Sequence, residues 1–313
     1  MVNLNKIKQA RENISKIINE TPLMTSESIS SEVGNQIFFK CEHLQKTGSF
    51  KIRGASNKII NEASKGARSI VAASSGNHGQ AVSYIARKLG LTPTIVVPAN
   101  VAACKQKGIR AYHGNIEFCG ESSEERLGRA KQISKEENAP YVPPYDDPLI
   151  MAGQGTIGLE ILEQLDSVDE VYVPIGGGGL ISGVATAIKE IKPHVRIIGV
   201  EPKLANDTYL SILKGERVNI GGSTTIADGL RTATPGELTF PIIQKYVDEI
   251  VLVDEEEIKT AFTIVLTRMK QVIETSAAVA VAAAMTREAE GKKIVALCSG
   301  GNVDTSVVSS ILG

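Results

Sequence analysis

Apolar residues along the chain recur with two periods. Short Val- and Ile-rich runs occupy residues 69–72, 94–97, 115–118, 170–174, 196–200, 249–253 and 293–297. Runs of four or five apolar residues bounded by polar or Gly/Pro positions are the pattern of strands buried on both faces. Longer stretches between them carry the helical period. The clearest starts at Asp254, after which Ile258, Ala261, Phe262, Val265, Leu266 and Met269 fall on one face. Its acidic opening, DEEE, suits the positive end of a helix dipole. Strands alternating with helices of this length predict βαβ units, so the fold class is α/β with mainly parallel sheets covered by helices. The rhythm falls into two blocks, 69–141 and 170–313, separated by the passage APYVPPYDDP, which reads as irregular connection. Two lobes with a cleft between them follow.

Composition narrows the partners. The chain has 313 residues, enough to bury a full core, and is 42% hydrophobic and 22% charged. With 34 basic and 35 acidic residues the formal net charge is −1, so no global field draws it to nucleic acid or an anionic membrane. Cys41, Cys104, Cys119 and Cys298 are widely spaced, without a CxxC or Cys/His cluster. Neither a zinc site nor a disulfide framework is expected, and Cys298 reads as a small core residue. The opening MVNLNKIKQARENI is polar and amphipathic, and no apolar run is long enough to span a bilayer. A cytoplasmic enzyme acting on a small molecule is the expectation.

Four local features could carry chemistry. In KTGSFKIRGA, Lys51 stands beside Phe50 where a helix begins. A lone lysine is ordinarily a solvated surface charge. One held among apolar groups at a helix N-terminus has a lowered pKa and becomes an amine nucleophile or base. SSGNHGQA, with Ser74, Ser75, Asn77 and His78, follows a predicted strand and can turn backbone N–H groups and hydroxyls toward an anion, though a capped turn would look the same. In PIGGGGLISG, Gly176, Gly177, Gly178 and Gly179 sit between a strand and a helix. Four glycines cost backbone entropy that a plain turn does not require, and they let successive N–H groups approach a phosphate. The spacing is neither GxGxxG nor GxxxxGK[ST], so a dinucleotide or P-loop reading is poorly supported. LCSGGN, containing Ser299, is a further strand end. A phosphate cup, a reactive amine and a ring of neutral polar groups at strand C-termini describe a pyridoxal-phosphate (PLP) site.

Taken together and in order, SFKIRGA, SSGNHGQA, GQGTIGLE, GGGGL, IADGL and SGGN resemble the serine racemase and serine/threonine dehydratase branch of the PLP enzymes, closest to the racemases. The similarity runs from TPLMTS near residue 21 to SGGNVD at 299–304. It implies fold-type II, the tryptophan synthase β-like class, with a large PLP-binding domain over 1–66 and 142–313 and a small domain over 67–141. Cysteine synthases share that fold, but their lysine and asparagine motifs read differently. The resemblance makes Lys51 the Schiff-base lysine with Phe50 beside the ring. It puts Asn77 on the phenolic oxygen, residues 176–179 on the phosphate, Ser299 at the pyridine nitrogen and Glu274 near that edge. Ser74, Ser75, Asn77, His78, Arg126 and Asp228 would meet the substrate, with Ser75 as the second proton carrier opposite Lys51. A neutral hydroxyl at Ser299 does not enforce ring protonation, which disfavours transamination and leaves racemisation and elimination both open.

The same resemblance implies a divalent cation, Mg²⁺, Ca²⁺ or Mn²⁺, on Glu201, Asp207 and the carbonyl of Ala205, although such a trio alone would read as solvated surface acids. It implies a homodimer acting on a small hydroxy-amino acid. The expected activity is serine racemisation with serine/threonine dehydration. Dehydration alone, of threonine, serine or 3-hydroxyaspartate, is the alternative. Two passages depart from the animal racemases: VPPYDDP, with Pro143 and Tyr145, and TATPGELTFP, which is one residue longer. At this length the regulatory domain of biosynthetic threonine deaminases is not expected.

Overall fold

Six strands lie side by side in the order β1-β2-β9-β6-β7-β8 and three more in the order β3-β4-β5. They are β1 (Leu23–Thr25), β2 (Gln36–Cys41), β3 (Ser69–Ala73), β4 (Thr92–Val97), β5 (Asn115–Phe118), β6 (Glu170–Pro174), β7 (Arg196–Pro202), β8 (Glu249–Val253) and β9 (Lys293–Cys298). In this computed structural model the described residues are 1–313 apart from 102, 121–122 and 287–289. The side chains of residues 104, 123 and 124 also lie outside the description, Cys104 among them. Cys41, Cys119 and Cys298 are free thiols, and Cys298 is buried as expected of a core residue.

Among the described residues all strand pairs are parallel except β1 with β2. The fold is α/β with parallel-dominated sheets and flanking helices, as the apolar runs predict. Each predicted strand is present. β1 and β2 were not predicted, and β2 shows why. Its apolar run Ile37–Phe39 is cut short by Lys40, which is fully buried next to the strand's last residue.

Period-two alternation fixes the two faces of the large sheet. Ile294 and Ala296 of β9 join one apolar cluster, with the alanine-rich helix Thr275–Met285. Val295 and Leu297 join another, with helices Pro148–Gln164 and Gly179–Lys189. The small sheet packs Ile70, Ala72, Ile95 and Val97 against helix Asn77–Lys88 and against Ile52, Ala55 and Ile59 of helix Lys51–Ser64. Helix Lys51–Ser64 thus carries Lys51 to the seam between the sheets.

One helix departs from its sequence pattern. Asp254 caps helix Glu255–Ile264 through a capping box with Glu257, but the ladder then widens to a π-helix over Val265–Met269 and ends at Lys270 with φ 58°. Leu266 and Met269 still pack on the core, so the apolar face survives the change of period. Among the described residues no helix is long and apolar enough to cross a membrane.

Candidate active site

A cavity of about 350 Å³ opens where β3, β6 and β9 end. It is lined by Phe50, Lys51, Ser74, Ser75, Asn77, His78, Arg126, the four glycines 176–179, Asp228, Glu274 and Ser299. Every residue expected to touch cofactor or substrate is therefore in one place. Glu201, Ala205 and Asp207 are not.

Lys51 is the first residue of its helix, and its Nζ donates to the Pro144 carbonyl at 2.8 Å while lying 5.1 Å from the centre of the Phe50 ring. Burial lowers its pKa to about 8, against a smaller upward pull from Glu274. At pH 7 about one amine in ten is then neutral, against about one in three thousand for an ordinary lysine. Below it lies a buried set of two cations and two carboxylates. Arg53 donates to Glu42 at 2.8 Å and to Glu160 at 2.6 Å, and Lys40 donates to Glu160 at 2.6 Å. These bonds tie the first turn of the lysine's helix to β2 and to helix Pro148–Gln164.

The glycine loop connects β6 to helix Gly179–Lys189, whose first N–H groups have no intrahelical acceptor. Gly178 caps that helix at φ 88°, a left-handed conformation open to glycine. Gly177 is needed for a different reason. A Cβ there would stand 2.4 Å from Cε1 and Cζ of Tyr145, whose ring backs the loop. Helix N-terminus, glycine amides and a buried amine in one cavity are a donor set that suits an aldehyde carrying a phosphate, such as PLP. The volume falls in the range of cofactor pockets, roughly 300–1,000 Å³.

At the other end, Asn77 Nδ2 donates to both oxygens of Glu274 at 3.0 and 2.9 Å. Burial pushes the Glu274 carboxyl up to about 7, opposed by these bonds. Asn302 was not singled out from the SGGN motif. Its Nδ2 donates to Asn77 Oδ1 and to the Thr47 carbonyl, both at 2.8 Å, which fixes the orientation of the Asn77 amide. Ser299 is buried, and its carbonyl accepts from the Phe50 amide at 3.0 Å.

His78 is buried, and burial beside the charged Lys51 drives its pKa down to about 3. It is neutral, with Nε2–H donated to the Val142 carbonyl at 2.9 Å. Asp228 meets Lys105 across the cleft at 3.0 Å. Lys105, Pro144 and Tyr145 line the cavity as well. Their signals were present but bland: a lysine on an amphipathic helix and two residues of a Pro-rich connection.

Away from the cavity, Glu201 and Asp207 are fully buried. Glu201 accepts from the amides of Thr208 at 3.1 Å and Tyr209 at 2.8 Å, so it caps helix Asp207–Lys214. Burial, reinforced by Asp207, raises its carboxyl to about 8, and burial raises Asp207 to about 7. Among the described residues no cluster of three His, Cys, Asp or Glu side chains is placed to hold a metal.

The chain is similar to known proteins over nearly all its length. It is 42% identical over 321 residues to the serine racemase of Dictyostelium discoideum, covering 99% of this chain and 98% of that one. It is 43% identical over 309 residues to the L-threonine ammonia-lyase of Geobacter sulfurreducens, covering 98% of this chain and 77% of that enzyme. The solved structure of maize serine racemase superimposes with a TM-score of 0.95 at 38% identity, over 99% of this chain and 97% of the other. The sequence profile described as pyridoxal-phosphate dependent enzyme matches residues 14–300, and the chain belongs to that family.

Proposed function

We propose that the protein is a PLP-dependent serine racemase that also dehydrates serine and threonine. The observation that carries this reading is that Lys51, with its lowered pKa, and the hydroxyl-bearing Ser75 line the same cavity. PLP, when bound, supplies an aldehyde that captures amino groups and a ring that stabilises negative charge at Cα. Residues 176–179 hold the phosphate. Phe50 packs beside the ring, the Asn77 amide orients its oxygen and the Ser299 hydroxyl meets its nitrogen. Glu274 steadies Asn77 near that edge. Ser74, His78, Arg126 and Asp228 border the substrate. Lys51 Nζ removes the Cα proton. A proton returned by Ser75 Oγ inverts the centre, the Lys51 ammonium then restoring the serine's proton; if that ammonium instead passes its proton to the β-hydroxyl, water leaves and hydrolysis of the resulting enamine gives a keto acid and ammonia. Following D-serine and pyruvate in parallel from L-serine, with chiral separation, tests the assignment. Absence of D-serine removes the racemase.

A dehydratase without racemase activity is the second reading. It is favoured by the ammonia-lyase relative and by Tyr145, which fills a cavity wall in one of the passages that depart from the animal racemases. A pyruvate and 2-oxobutyrate panel on serine, threonine and 3-hydroxyaspartate separates the two.

A divalent cation, Mg²⁺, Ca²⁺ or Mn²⁺, belongs in this reading on Glu201, Asp207 and the Ala205 carbonyl. Two fully buried carboxylates, with Asp207 raising the pKa of Glu201 and no salt bridge to either among the described residues, fit a hard cation. Glu201 would then both cap its helix and ligate. We also assign a large domain to 1–66 and 142–313 and a small domain to 67–141, in a cytoplasmic homodimer.

A further inference from the structure

The two passages that depart from the animal racemases meet one another behind the glycine loop. Asp146, from VPPYDDP, accepts three backbone N–H bonds from TATPGELTFP. Oδ2 takes Glu237 N at 3.0 Å, and Oδ1 takes Leu238 N at 2.8 Å and Thr239 N at 3.3 Å. A carboxylate holding successive amides in this way fixes the backbone of the segment it grips. The gripped segment holds the loop in turn. Thr239 Oγ1 donates to the Gly177 carbonyl at 2.8 Å, and Gly236 N donates to the same oxygen at 3.3 Å. Thr239 is fully buried, and a Cβ on Gly178 would stand 2.8 Å from its Oγ1. The contact is close-packed on both sides.

A peptide between two glycines turns over easily, because neither residue has a side chain to resist it. The peptide joining Gly177 and Gly178 is planar and trans, so its C=O and N–H point in opposite directions. Two donors on the Gly177 oxygen therefore aim the Gly178 N–H away from residues 236–239. The glycines line the cavity and Gly236 and Thr239 do not, so that N–H faces the cavity. We propose that Asp146 and Thr239 are positioning residues for anion binding. They lock the 177–178 peptide with its N–H toward the cofactor phosphate before the cofactor arrives. The proposal rests on the reading that residues 176–179 hold that phosphate.

The test compares the affinities of the full-length chain for PLP and for pyridoxal, which lacks the phosphate, by equilibrium dialysis. A residue that only supports the scaffold changes both affinities together. A residue that aims the phosphate donors changes their ratio. The preference for PLP should fall about tenfold in Asp146→Ala and about threefold in Thr239→Val. It should recover in Thr239→Ser, which keeps the hydroxyl, and in part in Asp146→Asn, which keeps one acceptor. If Asp146→Ala does not fold, the Thr239→Val and Thr239→Ser pair decides. A clear wild-type preference for PLP that both truncations leave unchanged overturns the positioning role and leaves the phosphate loop standing. Equal losses for the two ligands overturn it too. A wild-type chain that binds both ligands alike removes the phosphate assignment of residues 176–179, and the proposal with it.

Discussion

Aldehyde capture by Lys51 should follow the titration of a buried amine. Only the neutral amine attacks an aldehyde, and burial lowers this pKa from 10.5 to about 8. Above about pH 8 the rate of capture should therefore be flat, and below it the rate should fall as protons occupy Nζ. Against a lysine that titrates at 10.5, the advantage at pH 7 is about 300-fold in neutral amine. The decline should be shallower than tenfold per pH unit. Glu274, whose pull raises the Lys51 pKa, itself takes up a proton near pH 7, so the pull fades as the medium becomes acidic. His78 stays neutral down to about pH 3 and adds nothing in this window. Stopped-flow absorbance on the cofactor-stripped chain measures the rate, with borohydride trapping and peptide mapping to locate the label. Pyridoxal in place of PLP removes the phosphate's own titration. A rate that climbs unbroken to pH 10, or a label on any lysine but Lys51, would refute the reasoning.

Other consequences are simpler. Ser75→Ala should suppress D-serine formation more than pyruvate formation from L-serine, since elimination needs only the Lys51 proton transfer; equal loss in a parallel chiral assay undoes the Ser75 assignment. Chelation should lower activity and Mg²⁺ or Ca²⁺ should restore it. Identical rates in chelator and in cation would remove Glu201, Ala205 and Asp207 from the site. Arg53→Met leaves Glu42 and Glu160 buried with only Lys40 for company, and should destabilise the fold by about 3–5 kcal/mol in a denaturant titration. A loss below about 1 kcal/mol would mean the buried charges repair themselves with water.

Much of the scaffold was legible because its physics is local. Strands buried on both faces produce apolar runs whatever surrounds them, and glycine runs at strand ends record a backbone constraint. What escaped the sequence was set by partners distant in the chain. Lys40 disguises β2 because its charge is answered by Glu160, 120 residues away. The π-helix at Val265–Met269 keeps its apolar face, so the pattern does not register the change of ladder. VPPYDDP reads as connection because nothing in its composition says that Pro144 will meet Lys51, Tyr145 the glycines or Asp146 residues 237–239. Asn302 was inside a recognised motif, but its importance comes from Asn77, 225 positions earlier.

The titration pattern also restricts which groups can move protons. A histidine beside a reactive lysine is the natural candidate for a second base. Here burial and the neighbouring charge hold His78 neutral to about pH 3, and the Val142 carbonyl occupies its Nε2 proton. Protonating that ring at pH 7, well above its pKa of about 3, costs about 5 kcal/mol at the moment of transfer. Glu274 titrates near neutrality, but both its oxygens accept from the Asn77 amide, and a proton on either competes with a bond that orients Asn77. Lys51 is free of such conflicts, because a neutral amine can still donate to the Pro144 carbonyl. A hydroxyl carries no charge to desolvate, so Ser75 can stand in the cavity at any ordinary pH without disturbing Lys51. On the proposed assignment, inversion depends on one amine and one hydroxyl, and elimination on the amine alone. That asymmetry is why the serine, not the histidine, should control the balance between the two reactions.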